Sequence, residues 1–181
     1  MLWKRFTTKF PFPHPVNETS ARIVAGGAVV MGAFFVATGN DWVLVPLTYG
    51  FVARALSGPT FSPLGRLATQ VIAPRIKVQH RFVAGPPKRF AQAVGATFSI
   101  VASVLLLLGA ETAARVVIAG LVGAAFLESA FAVCLGCLMF GLLMRVGVIP
   151  EDVCEECANF STYSSANADT VALALLPGIE K

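Results

Sequence analysis

All four cysteines of the chain fall in two Cys-x-x-Cys pairs, Cys134-Leu-Gly-Cys137 and Cys154-Glu-Glu-Cys157. Such a pair can cycle between dithiol and disulfide, and two pairs within reach can exchange through a mixed disulfide. On a continuous helix, Cys134 and Cys137 stand at i, i+3 and share one side. The same spacing supports a rival chemistry. With 16 residues between Cys137 and Cys154, the pattern falls in the range of four-thiolate zinc sites, with Cys134, Cys137, Cys154 and Cys157 as ligands. Four thiolates and one zinc ion carry a net negative charge, which Arg145 and basic loop residues could offset. A third reading is packing alone, since a buried cysteine behaves as a small hydrophobe and a mid-helix thiol lacks the helix N-terminus that lowers its pKa.

Glu128 lies six residues before Cys134 in the same apolar run. An ionisable side chain inside such a run is costly and faces the bundle interior with a partner or a proton. On one helix it stands about 9 Å along the axis from Cys134, in roughly the same angular sector. It can therefore relay a proton to the thiols. Alternatively it pairs with Gln92 or Thr97 and fixes helix register.

Composition defines the setting. The chain has 181 residues, of which 56% are hydrophobic and 13% charged, with mean hydropathy +0.73. These values exclude an ordinary soluble domain and predict an all-α, polytopic membrane protein in a lipid bilayer. Four transmembrane helices are expected: Ile23–Gly39, Val43–Leu56, Phe90–Gly109 and a run from Val116 to Met144. The second is short, and Pro46 predicts a kink in it. The last run covers 29 residues, about 44 Å as a helix, and reads as one long tilted helix with a break near Gly136 or Gly141 as the variant. A split near Glu128-Ser129 is the alternative.

Residues 54–89 contain seven Lys or Arg and no Asp or Glu, so the loop 57–88 is predicted to be cytoplasmic. Within it Leu64, Leu67, Val71 and Ile72 recur at helical spacing, which predicts an amphipathic segment on the membrane surface between the second and third spans. The basic charge is what anionic headgroups require, and nothing else points to nucleic acid. His80 reads as a structural residue. The first twenty residues carry Lys4, Arg5 and Lys9 without an apolar core or cleavage site, so the first span is expected to remain as an anchor. Pro11, Pro13 and Pro15 give the arm an extended, polyproline-like form. Asn17 is expected to cap the first helix at Glu18, with Glu18 pairing with Arg22. Three regions follow: a basic Pro/Phe-rich arm (1–21), a four-helix transmembrane domain (22–148), and a cytoplasmic Cys-x-x-Cys segment with a polar tail (149–181). Both termini are predicted to be cytoplasmic.

Pro15-Val16-Asn17-Glu18 with Ala21-Arg22, Arg89-Phe90-Ala91-Gln92 with Gly95, and Cys134-Leu-Gly-Cys137 resemble the blocks of a bacterial integral-membrane family, domain of unknown function 4395. The resemblance covers roughly residues 10–160 and implies a bacterial inner-membrane protein. Members joined to thioredoxin-like domains imply a thioredoxin-like redox partner for a chain without one. Two thiol pairs in four spans are also similar in general design to the DsbB and vitamin K epoxide reductase families, which work from the oxidising face, whereas here both pairs are predicted inside. The resulting expectation is a thiol–disulfide redox or sulfur-handling membrane component, with a zinc-stabilised scaffold or a small-solute transport protein as alternatives.

Overall fold

The computed structural model describes residues 16–75, 82–150, 153 and 154. The proline-rich arm before Val16, His80 and the polar tail lie outside the described residues. The chain divides into two compact units, residues 1–140 and 141–181, and the bundle described below belongs to the first. Its long elements are α1 (Glu18–Thr38), α2 (Leu44–Ser57), α3 (Gly85–Leu107) and α4 (Glu111–Phe131), followed by α5 (Leu135–Arg145). The fold is all-α apart from a two-residue antiparallel pairing of Val16–Asn17 with Phe82–Val83.

Local chemistry sets most helix ends. Asn17 caps α1 by accepting hydrogen bonds from the Thr19 and Ser20 amides at 2.9 and 3.4 Å, with Glu18 in the first turn. Gly39, in the left-handed region at φ 70°, ends it. Asn40 then accepts from the Trp42 amide and starts the turn that leads into α2. Pro46 does not kink α2: it lies in the first turn, where an absent N–H removes no helical bond, so it starts the helix. Similarly, Gly85-Pro86-Pro87 is the first turn of α3 rather than the end of the loop.

Three of the four expected spans, α1, α3 and α4, are long and apolar enough to cross a membrane. The fourth, α2, has 14 residues and reaches only about 21 Å, short of a hydrocarbon core of about 30 Å. Only about a quarter of each long helix is buried by protein. The outside remains apolar, with Val30, Phe34, Val104, Val116 and Phe126 exposed. Helices apolar on all sides and so little covered suit a bilayer.

The expected helix from Val116 to Met144 is two helices. The break falls at Ala132–Cys134, not at Gly136, Gly141 or Glu128-Ser129. Ala132 takes the left-handed conformation (φ 59°), and its amide and that of Val133 bond back to the Glu128 and Leu127 carbonyls. Between α2 and α3, residues 58–75 form successive helical turns. Small residues Gly65, Ala68 and Ala73 are buried, Leu64 lies against Gly27 of α1, and Leu67 and Val71 face outward. The expected apolar stripe is thus divided between the bundle and its surroundings.

α1 packs mainly on α4, α3 on α4, and α2 on α3. The core is built from Phe35, Leu47, Phe51, Ile118 and the alanines between them. Close approach relies on glycine: a Cβ on Gly32 would reach 2.5 Å from Val122, and one on Gly95 would collide with the Phe51 ring. Two of these antiparallel pairs, α1/α4 and α2/α3, are also tied at their ends by arginine. Arg22, in α1, donates from Nε and Nη2 to the Ser129 and Ala130 carbonyls of α4, both at 3.0 Å, instead of pairing with Glu18 as expected. Arg89, in α3, donates to the Ala55 and Leu56 carbonyls of α2 at 2.9 and 3.1 Å. At the opposite end, the Arg115 guanidinium of α4 occupies the space a Cβ on Gly39 would need. Glu18-Thr-Ser-Ala-Arg22-Ile-Val and Glu111-Thr-Ala-Ala-Arg115-Val-Val are near repeats, so each partner of the α1/α4 pair sends its fifth residue to the other's end.

Arg22→Met removes two charge-assisted bonds and is expected to cost about 2 kcal/mol of stability. Arg22→Lys keeps the charge but not the two-pronged reach, and should recover only part of it. Chemical denaturation in micelles measures both.

Candidate functional site

The turn at Ala132 determines what the first cysteine pair can do. Cys134 stands immediately before α5, and its carbonyl accepts from the Leu138 amide at 3.0 Å. Cys134 is therefore the N-cap of α5. Its Sγ accepts from the Cys137 amide at 3.3 Å. This overturns the expectation of a mid-helix thiol without help from a helix terminus, because a sulfur at this position faces the amides and the positive end of the dipole. Cys134 and Cys137 are joined as a disulfide with Cα atoms 5.2 Å apart. Cys134 is buried and Cys137 half-buried.

α5 is held against α3 by two contacts at neighbouring positions. A Cβ on Gly136, between the two cysteines, would come within 2.6 Å of the Ala91 Cα, so only glycine fits there. One turn later the Phe140 ring, almost fully buried, lies 5.7 Å from that of Phe90. With residues 136 and 140 both meeting residues 90 and 91, this part of α5 crosses the start of α3 and does not run along it.

The start of α3 carries the polar groups of the site. Lys88, one turn before Ala91, donates from Nζ to Glu128 Oε1 at 2.6 Å, and both side chains are largely buried. Among pairs of described residues this is the salt bridge. Neither Gln92 nor Thr97, the expected partners, binds Glu128. Gln92 Oε1 accepts from Arg54 Nε at 2.8 Å, and Thr97 donates to the Ala93 carbonyl of its own helix. The angular relation of Glu128 to Cys134 expected on one straight helix is also lost, because α4 ends between them. Arg54 extends the network: Nη1 donates to Ser62 Oγ at 3.1 Å, the guanidinium lies 4.8 Å over the Phe51 ring, and Glu128 acts on it electrostatically.

Glu128, Cys134 and Cys137 thus belong to one end of the bundle. Cys154, in the second unit, is buried and also disulfide-bonded, and Cys157 lies outside the described residues. The zinc reading needs both pairs reduced to thiolates, and its fourth ligand, Cys157, lies outside the described residues. Among the described residues no three His, Cys, Asp or Glu side chains gather to hold a metal. Sequence reasoning missed Lys88, Arg54 and Ser62. It counted Lys88 and Arg54 as loop charges, although both fall within helical pattern.

Lys88→Met leaves the Glu128 carboxylate buried without its partner and should cost about 3–5 kcal/mol. The double variant Lys88→Met/Glu128→Leu should recover most of that loss. A double-mutant cycle from denaturation curves gives the coupling.

The model of a family described as "Domain of unknown function (DUF4395)" matches residues 16–145. No curated protein and no solved structure matches the chain.

Proposed function

The chain belongs to the DUF4395 family, and from the position of its first cysteine pair we propose that it is a thiol–disulfide redox or sulfur-handling component of the bacterial inner membrane. The observation that carries this reading is the Cys134–Cys137 disulfide at the N-terminus of α5, with the Cys137 amide on Cys134 Sγ. The partner is a soluble dithiol of the thioredoxin type. Its thiolate attacks the more exposed Cys137 Sγ, and the Cys134–Cys137 bond breaks with Cys134 leaving as a thiolate. A sulfur that accepts an amide hydrogen bond at a helix N-terminus is a good leaving group. The partner's second thiolate then attacks the mixed disulfide and releases Cys137. Two electrons and two protons pass to the chain, and the partner becomes the disulfide. The protons that the partner's two thiols release on ionising are the ones the two cysteines take up, and Glu128, an ionised carboxylate on Lys88, is assigned the relay that accepts such a proton and passes it to the Cys134 thiolate.

The topology that goes with this reading has four spans and cytoplasmic termini. It is supported by charge: Arg22, Arg54, Lys88 and Arg89 lie where α1 and α3 begin and α2 ends, and Arg66 and Arg75 lie in the segment between α2 and α3. The short α2 completes its crossing with the turn at Asp41–Val43.

Purified protein should be reduced by a thioredoxin-type dithiol with a measurable equilibrium constant. A partner lacking its resolving cysteine should be trapped on Cys137. Glu128→Gln keeps a hydrogen-bond acceptor for Lys88 but not its counter-charge, which costs stability, so it is compared under conditions where denaturation curves show both proteins folded, and there it should slow exchange about 10²-fold. Exchange no faster than that of an unstructured Cys-x-x-Cys peptide would sink the reading, and unchanged kinetics in Glu128→Gln would remove the proton role alone.

A further inference from the structure

Independently of the thiol chemistry, the polar network at the start of α3 has too many donors. Arg54 is only 5% exposed, and its Nη2 has no hydrogen-bond partner among the described residues. Its other nitrogens bind Gln92 and Ser62. Ser62 is fully buried, and its Oγ already accepts from Arg54 and from the Gly65 amide at 3.2 Å, so what it has left to offer is a proton. Gln92 accepts through Oε1, which leaves its amide nitrogen as a donor. Lys88 has one N–H on Glu128. Lys88 and Gln92 stand at i, i+4 on one face of α3. Arg54 thus gathers Gln92 and Ser62, Lys88 holds Glu128, and Glu128 is the carboxylate whose charge acts on Arg54. Gln92 is half-exposed and brings the network to the surface.

A buried guanidinium N–H requires an acceptor, and an excess of buried positive charge requires an anion. A tetrahedral oxyanion supplies both, with several oxygens for a forked donor. We propose that Arg54, with Ser62, Gln92 and Lys88, binds the oxyanion of a phosphate or sulfate group at the end of the bundle where α2 stops and α3 starts. The group is either a free ion or a phospholipid headgroup, since the site stands at the end of helices suited to a bilayer.

The test uses the full chain in detergent, with sodium sulfate and sodium phosphate as probes against chloride at equal ionic strength. Because Arg54→Met removes bonds to two elements and can fail to fold, the informative variant is Gln92→Glu, which places a carboxylate on Arg54 from within. A free-ion site predicts a saturable rise in melting temperature of about 3–6 °C at tenfold excess over Kd. In Gln92→Glu the melting temperature should rise without added anion and the response to sulfate and phosphate should disappear. A headgroup site predicts phospholipid retained by the wild type through delipidation and lost from Gln92→Glu, read by native mass spectrometry. The proposal is overturned if the wild type neither responds to the two anions nor retains phospholipid. It is equally overturned if Gln92→Glu behaves as the wild type in both measurements.

Discussion

The backbone carbonyls at the ends of α2 and α4 impose the constraint on which this structure depends. The last turn of a helix has no intrahelical donor for its C=O groups, and near hydrocarbon no water takes their place. In α4, four consecutive carbonyls are matched: Leu127 by the Val133 amide, Glu128 by the Ala132 amide, Ser129 and Ala130 by Arg22. In α2, Ala53 is matched by the Ser57 hydroxyl, Arg54 by the Gly58 amide, Ala55 and Leu56 by Arg89. In both helices the inner pair is closed by the chain's own turn. The outer pair is closed by an arginine from the start of an antiparallel neighbour. A guanidinium suits this work because its fork reaches two carbonyls at once and its charge complements the negative end of the dipole.

That solution places positive charge inside one end of the bundle, and the site follows from it. Burying Arg54, Lys88 and Arg89 among helix ends is tolerable only with compensating groups. Glu128 is one such group, which explains an acid within an apolar run better than helix register alone does. Its pairing with Lys88 also ties α4 to α3 at the level where α5 begins. The cysteine pair is thereby fixed against the most polar part of the bundle, although its own sequence surroundings are apolar.

Legibility in the sequence followed the range of the interactions. The start of α1 at Asn17-Glu18 was readable because a cap is made by residues two and three positions away. The three long apolar helices were readable from composition. Arg22 was misassigned to Glu18 because the local i, i+4 rule cannot see carbonyls more than a hundred residues away. Even so, the repeat of Glu-Thr-x-Ala-Arg at 18–22 and 111–115 was a usable signal that the two helices play matching parts. The break before Cys134 carried no such signal. It lies in Ala132-Val133-Cys134, without glycine or proline, and of the two glycines that drew attention Gly136 is the close contact with Ala91 and Gly141 lies inside α5.

An alanine at positive φ costs about 1–2 kcal/mol relative to its usual conformations, so tertiary contacts must hold the turn at Ala132. Three do so: Arg22 holds the Ser129 and Ala130 carbonyls just upstream, Gly136 is wedged on Ala91, and Phe140 is buried against Phe90. The first fixes where α4 stops, and the other two fix where α5 must start. Only three residues, Ala132 to Cys134, remain to join those points, and the left-handed turn is the solution they admit. Cys134 then occupies the N-cap because the arginine cap and the glycine contact leave it nowhere else. The position that gives its sulfur chemical character is a consequence of how the helix ends are satisfied.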